Sequence, residues 1–553
     1  MADTAAVAYA SVQEPARTRR FTPRVVLAIV VICGFVSVVV GAIALHPSDD
    51  TATTLTGAAP GVISYIQQTP GLRLTLHAKR PSMQLNSQQT ATVFVLPRAD
   101  GKFDSVLTQP GPNITETYLL VDDRAYYATS QAGVVLSVDC LSPDQLPPLD
   151  KLQMSLNEAK IVDLVETDSP SVAPTDCPGG TWIQLTFAGE VFAVCKSPNN
   201  QLTHAISQDL DVTIEYVTDS AQLPSLKIPQ PRQEKLLVCP SISRATTLPT
   251  LPTHLEATTK SSLLPRVARF GSASCGCKGK QKPCLFVHGV GMPFAGPMSN
   301  LDVFNWGNVH NHAPCCSSTK FVHYETWKHG WEEPNLQAKF CEDALAVSNS
   351  ETKTVGDLIL VTYSMGNLVA GGAVANGFCN LSNKVSWVSL AAPMQGSKTA
   401  NLLEQKCNAG GWNLPLQGLL QLITLCPMTN AFRQLKHISA VANDERRQFE
   451  AASAVRKQYA TNVLCGSSSL GLVSMYGPPL ALVSALTHHG DVNDGVVAFE
   501  SCADGFAKAS FSTDYADGGN YLVSTNHLDN SFRIGDGWWG TNRKPLKWFE
   551  CAL

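Results

Sequence analysis

The sequence has no excess of positive charge: 41 Lys and Arg stand against 45 Asp and Glu, a net charge of −4 over 553 residues. Such a chain lacks the basic footprint that a polyanion needs, so nucleic acid is not among its expected partners. Charge of either sign is scarce, at 16% of residues against 44% hydrophobic. That balance excludes a wholly disordered chain and supplies apolar material for large cores. No internal repeat is present. The close cysteine sets Cys275/Cys277/Cys284 and Cys315/Cys316 lack paired C-x-x-C spacing, which favours disulfides over zinc, and no metal is expected.

What is there begins with length: 553 residues favour two or three domains. Residues 25–45 (VVLAIVVICGFVSVVVGAIAL) are uncharged and long enough to span a hydrocarbon core. Arg17, Arg19, Arg20 and Arg24 precede the run, and Asp49 and Asp50 follow it, so the bulk of the chain is expected on the lumenal or extracellular side. The run exceeds a signal-peptide h-region, which favours a retained type II anchor, partnering the membrane, over cleavage near Ala42-Ile43-Ala44. Cys33 lies inside the run and the other 16 cysteines follow it, an even number suited to pairing in an oxidising compartment. Sequons occur at Asn113 and Asn380.

Beyond a 46–61 linker, residues 62–226 read as strands. Leu72-Arg73-Leu74-Thr75-Leu76 and Leu210-Asp211-Val212-Thr213-Ile214 alternate with period two, and Ala91–Leu96, Gly133–Val138 and Trp182–Phe187 add further runs. One polar face per strand predicts a mostly antiparallel sheet, stapled by Cys140, Cys177 and Cys195. What this β-rich part binds is not legible. Residues 227–270 are Pro-rich and read as a linker. From 271 to 553 the pattern changes: Cys284–Val287, Leu358–Val361 and Val385–Leu390 are apolar runs separated by helix-compatible segments, the alternation of an α/β domain.

Chemistry is suggested where Leu358-Ile359-Leu360-Val361-Thr362-Tyr363 runs into Ser364-Met365-Gly366 and a small-residue helix. A serine on such a turn is exposed at the end of the sheet as a nucleophile, and small residues are wanted two before and two after it. Gly366 meets that need, whereas Thr362 departs from it. A helix-capping serine is the competing reading. Upstream, a strand ends in His288-Gly289-Val290-Gly291, whose backbone can aim N–H groups at an oxyanion; the natural donors are Val290 and Met365. His288 itself is read as organising the loop. An acid and then a histidine should follow the serine. Asp494, in Asn493-Asp494-Gly495-Val496-Val497, is the best acid, with Asp491 behind it. His527, in Asn526-His527-Leu528-Asp529, is the best base; His488 and His489 precede the acid, and His437 lies in the expected lid.

With Phe286-Val287-His288-Gly289-Val290-Gly291 and Tyr363-Ser364-Met365-Gly366, these motifs resemble those of α/β-hydrolase-fold lipases and esterases, and the acid and histidine segments are similar to those of bacterial triacylglycerol lipases. The resemblance covers about residues 280–535. It implies an α/β-hydrolase domain, a mostly parallel sheet with flanking helices and a cap insert over about 400–487. It also implies a Ser364–Asp494–His527 triad with Val290 and Met365 as oxyanion donors, and acyl transfer that needs no cofactor. A structural calcium occurs in some similar lipases, but no residue pattern here specifies one. The apolar stretches 412–423 and 470–486 and the anchor favour a lipid ester, cleaved at a membrane surface, over a soluble one. Thr362 and the unassigned β-rich part leave open a catalytically inactive cell-surface binding or scaffold protein.

Overall fold

The computed structural model describes residues 61–553 apart from 84–87, 101, 112–114, 142–154, 157, 168–176, 188, 231–236, 243–266, 271–273, 410–425, 473–475, 491 and 539. The apolar run 25–45, nearly all of the 46–61 linker, Asn113, Asp491 and the stretch 412–423 therefore lie outside the described residues.

Alternating sequence becomes alternating burial. In Gly71–Ala78, Leu72, Leu74, Leu76 and Ala78 are fully buried while Arg73 is exposed. Ala91, Val93 and Val95 of Thr90–Pro97, and Leu210, Val212 and Ile214 of Leu210–Val217, line the same core. Strand Gly71–Ala78 pairs on one side with Thr90–Pro97 and on the other with Leu210–Val217. It thereby joins two meanders into one sheet of 11 strands, antiparallel throughout. The end of the Pro-rich interval is itself a strand, Val267–Phe270, paired with Leu164–Thr167.

A second sheet has eight strands and is mixed. Its first edge strand, Gly296–Ser299, runs antiparallel to Cys316–His323. Inside it Lys282–Val287, Ile359–Tyr363, Ser386–Leu390, Ala460–Gly466 and Asn520–Val523 are aligned so that Val287 faces Thr362, Tyr363 faces Leu390, and Gly466 faces Val523. The loops after these strands consequently emerge along one edge. Ile359–Tyr363 is buried at every residue, as a continuous apolar run requires.

The fold class expected from the sequence is corrected by this architecture. The chain is not the expected α/β-hydrolase with a mostly parallel sheet and a β-rich appendage: its largest sheet is the 11-stranded antiparallel one, and the eight-stranded sheet is mixed. Among the described residues no helix is long and apolar enough to cross a membrane. Three apolar runs mark buried strands but do not specify a whole parallel sheet. The edge strand Gly-Pro-Met-Ser has no periodicity that announces it, and most strands of the larger sheet carry mixed faces that a period-two search passes over.

Charged side chains fill the contact between the larger sheet and the C-terminal segment. Arg80 reaches Glu550 (2.8 Å) and Asp536 (3.3 Å), Lys547 reaches Asp209 (2.7 Å), and Lys544 reaches both Glu190 (2.7 Å) and Asp209. Trp538 packs into the core of the larger sheet beside them. Burial alone would raise the Asp209 carboxyl, but Lys544, Lys547 and Arg80 hold it well below the aspartate range.

All 16 cysteines after Cys33 pair, forming eight disulfides. Cys275, Cys277 and Cys284 join Cys551, Cys315 and Cys316. Cys140 ties the sheet to Cys239 of the Pro-rich interval. Disulfides in this number mark an extracellular or lumenal protein.

Candidate active site

At the end of Ile359–Tyr363 the chain reverses within one residue and enters helix Met365–Ala375. That residue is Ser364, at φ 52° and ψ −126°, a left-handed conformation that a non-glycine residue adopts only where its surroundings impose it. The helix start lies against the neighbouring strand: a Cβ on Gly366 would stand 2.6 Å from the Val287 carbonyl oxygen. Gly371 is equally constrained by the Ala452 carbonyl, 2.7 Å from where its Cβ would be.

Thr362, the departure from the small-residue pattern, is buried and fully engaged. Its hydroxyl accepts from Trp387 Nε1 (2.7 Å) and donates to Asn367 Oδ1. The Asn367 amide in turn donates toward the carbonyls of Thr362 (3.3 Å), Ser364 (3.1 Å) and Leu390 (3.1 Å), the three chain segments that meet at the turn. Ser389 also donates to Asn367 Oδ1 (2.7 Å), and the buried Arg456 donates to Ser389 (3.2 Å). Where a glycine would only provide room, the threonine provides a bonded floor.

The structure brings the nucleophile, base and acid candidates together. His527 Nε2 lies 2.9 Å from Ser364 Oγ, and His527 Nδ1 lies 2.8 Å from Asp494 Oδ2. Asp494 is buried, and its other oxygen accepts the backbone N–H of Val496 (3.0 Å) and Val497 (2.7 Å). A carboxylate so occupied is fixed in place and can only accept, so Nδ1 carries the proton and Nε2 offers its lone pair to the serine hydroxyl. Asn530 adds a bond to Asp494 Oδ2 (3.2 Å), and the Tyr363 hydroxyl donates to the His527 carbonyl (2.9 Å).

The donor loop touches the same serine: a Cβ on Gly289 would lie 3.2 Å from Ser364 Oγ. Among the described residues, no acceptor takes the backbone N–H of Val290 or of Met365. His288 is bound up in holding this loop. Its Nε2 accepts from the Tyr324 N–H (3.0 Å), which leaves Nδ1–H to donate to the Gly289 carbonyl (2.8 Å). Burial lowers its pKa to about 4, so it stays neutral.

Of the alternatives, His489 is buried and bonds Thr399 (2.9 Å); burial lowers it to about 4. His437 bonds Ser439 (2.8 Å), and His488 is a left-handed helix cap. None of these is hydrogen-bonded to Ser364. Among the described residues, no group of three or more His, Cys, Asp or Glu could hold a metal ion. Asn367 and Asn530 escaped sequence reasoning: each acts through contacts made only in the fold, and no local pattern marks them. No known family model and no curated protein matches the chain. Among solved structures it is similar to the lipase of Staphylococcus hyicus, at a TM-score of 0.28 and 13% identity over 50% of this chain and 94% of that one, a likeness too slight to carry an argument.

Proposed function

We propose that the chain is a serine hydrolase of carboxylic esters, with Ser364 as nucleophile, His527 as general base and Asp494 as the acid that orients it. One observation carries the reading: an unbroken hydrogen-bonded line runs from Asp494 through both nitrogens of His527 to Ser364 Oγ, at a turn held in a left-handed conformation. As Oγ attacks the ester carbonyl carbon, its proton passes to His527 Nε2, and the Asp494 carboxylate stabilises the imidazolium that results. The amides of Val290 and Met365 receive the negative oxygen of the tetrahedral intermediate. Collapse breaks the ester bond, and His527 returns the proton to the departing alcohol. Water, deprotonated by the same histidine, then releases the acid from Ser364.

A lipid ester is the preferred substrate. Gly495, beside the acid, packs against Leu480 of Gly477–Thr487, a helix of mostly apolar residues suited to an acyl chain. The test is hydrolysis by the full chain of long-chain ester emulsions and of short soluble esters. The reading expects the emulsion to be the better substrate and Ser364→Ala to lose both activities. Hydrolysis of soluble esters alone would replace the lipid substrate. Hydrolysis of neither, by folded protein, would leave an inactive surface-binding protein.

A further inference from the structure

Four exposed apolar side chains follow the donor loop within residues 294–304. Among the described residues ten large hydrophobics are exposed, and Phe294, Leu301, Val303 and Phe304 are four of them, Phe294 at 61% and Phe304 at 71%. The same stretch is nearly without charge. Between Lys282 and Lys320 the only Asp, Glu, Lys or Arg is Asp302. It is buried and spent on its own turn, accepting from the Asn305 N–H (3.1 Å) and the Asn305 side chain (2.7 Å).

This surface is built onto the site. The register Gly296 opposite His323 and Ser299 opposite Phe321 puts the start of the edge strand level with the carboxyl end of Cys316–His323. That is the edge from which the donor loop and Ser364 emerge. The short helix Val303–Trp306 is tied back by Asn305, whose side chain lies 3.4 Å from Met292 Sδ. Its inner residue, Trp306, stands 6.1 Å from the Tyr363 ring and 6.4 Å from the Phe532 ring, and Tyr363 stands 5.3 Å from the His527 ring. The inner side of the helix thus packs on the aromatic floor of the site, while Val303 and Phe304 face outward.

Large apolar side chains left in water beside a site mark a binding face. We propose that residues 293–304 form the face on which the protein sits against a zwitterionic phospholipid bilayer, bringing the donor loop and Ser364 to the lipid. The choice of a lipid occupant rests on the ester-hydrolase reading. The choice of a zwitterionic one rests on charge. Anionic membranes are held by clusters of Lys and Arg, and the bordering Lys320 is bonded to Asn300 (2.8 Å). A second copy pairing along the edge strand is disfavoured because that strand has four residues and includes Pro297, which has no N–H to donate.

The test is hydrogen–deuterium exchange of the full chain with and without phosphatidylcholine vesicles, read by mass spectrometry over 293–304. The expected result is exchange slowed by about tenfold or more on vesicles, unchanged in Ser364→Ala and lost in Phe294→Asp/Phe304→Asp. Fluorophosphonate labelling of Ser364 in that double variant reports that its fold is intact. Unchanged exchange on vesicles overturns the proposal. So does slowing that requires phosphatidylserine, and so does slowing without lipid at a doubled molecular mass, which would give the face to a second copy. A chain protected on vesicles yet never labelled would lose the hydrolase reading alone; one labelled but unprotected would lose only the docking face.

Discussion

Two buried polar networks divide the molecule between them, and they are built from opposite materials. Between the larger sheet and the C-terminal segment, Arg80, Asp209, Asp536, Lys544, Lys547 and Glu550 are buried full charges that neutralise one another. Beneath Ser364, the network consists mostly of amides and hydroxyls, backed by the Trp387 indole and the Arg456 guanidinium, with one carboxylate and one imidazole at its end. The charged cluster is closed, each ion facing its counter-ion. The site leaves three things unspent: a serine hydroxyl poised on a lone pair, two amide N–H groups that no acceptor takes among the described residues, and a backbone conformation that costs free energy to hold. Buried charge by itself is therefore a poor guide to function; unused bonding capacity at a strained residue is the better one.

Substitutions in the two networks should separate activity from stability. Ser364→Ala should lower ester hydrolysis by about 10⁴-fold or more while leaving thermal unfolding nearly unchanged. Asp494→Asn should cost about 10⁴-fold in kcat, since an amide no longer holds Nδ1–H toward itself. In the charged cluster the ranking reverses. Asp209→Asn leaves Lys547 without its carboxylate and Lys544 with Glu190 alone, and should remove about 3–5 kcal/mol of stability, with kcat of the folded fraction unchanged. Equal losses of activity and stability in both networks would erase the distinction.

Asn367→Ala falls between these cases. It leaves the carbonyls of Thr362, Ser364 and Leu390 short of a donor, so kcat should drop by about 10- to 100-fold with a stability loss of about 1–3 kcal/mol. A loss of stability without a loss in kcat would make it part of the scaffold only.

A further effect, on stability alone, concerns pH. Burial lowers His288 to about 4, so its folded pKa lies below that of the unfolded chain. Its contribution is complete above about pH 6.5 and is lost as pH falls toward 4, where full protonation costs about 3 kcal/mol. Unfolding temperatures measured from pH 7 to 4 should fall accordingly, and fall less steeply in His288→Asn.

How much of this was legible in the sequence follows from how local each signal is. The turn at Ser364, the glycines at 289 and 366, and the Asp-Gly-Val-Val and His-Leu-Asp segments are short motifs whose order along the chain could be read directly. Residues that act across the fold could not: Arg80 meets Glu550 470 positions away, and Asn367 meets the Leu390 carbonyl. Thr362 stands out in sequence as a departure because sequence shows its size and not its partners, Trp387 and Asn367. The architecture was misjudged for a related reason: apolar runs reveal buried strands, while the mixed edge and most of the 11-stranded sheet rest on pairings that no single segment encodes.

The central claim is that Ser364 is an activated nucleophile, and covalent capture tests it most directly. The full chain is treated with a fluorophosphonate probe and the modified peptide is mapped. The account predicts a single adduct on Ser364, absent in Ser364→Ala and strongly slowed in His527→Ala. An unlabelled wild-type protein under conditions where a control serine hydrolase reacts, or an adduct that persists in Ser364→Ala, would contradict it.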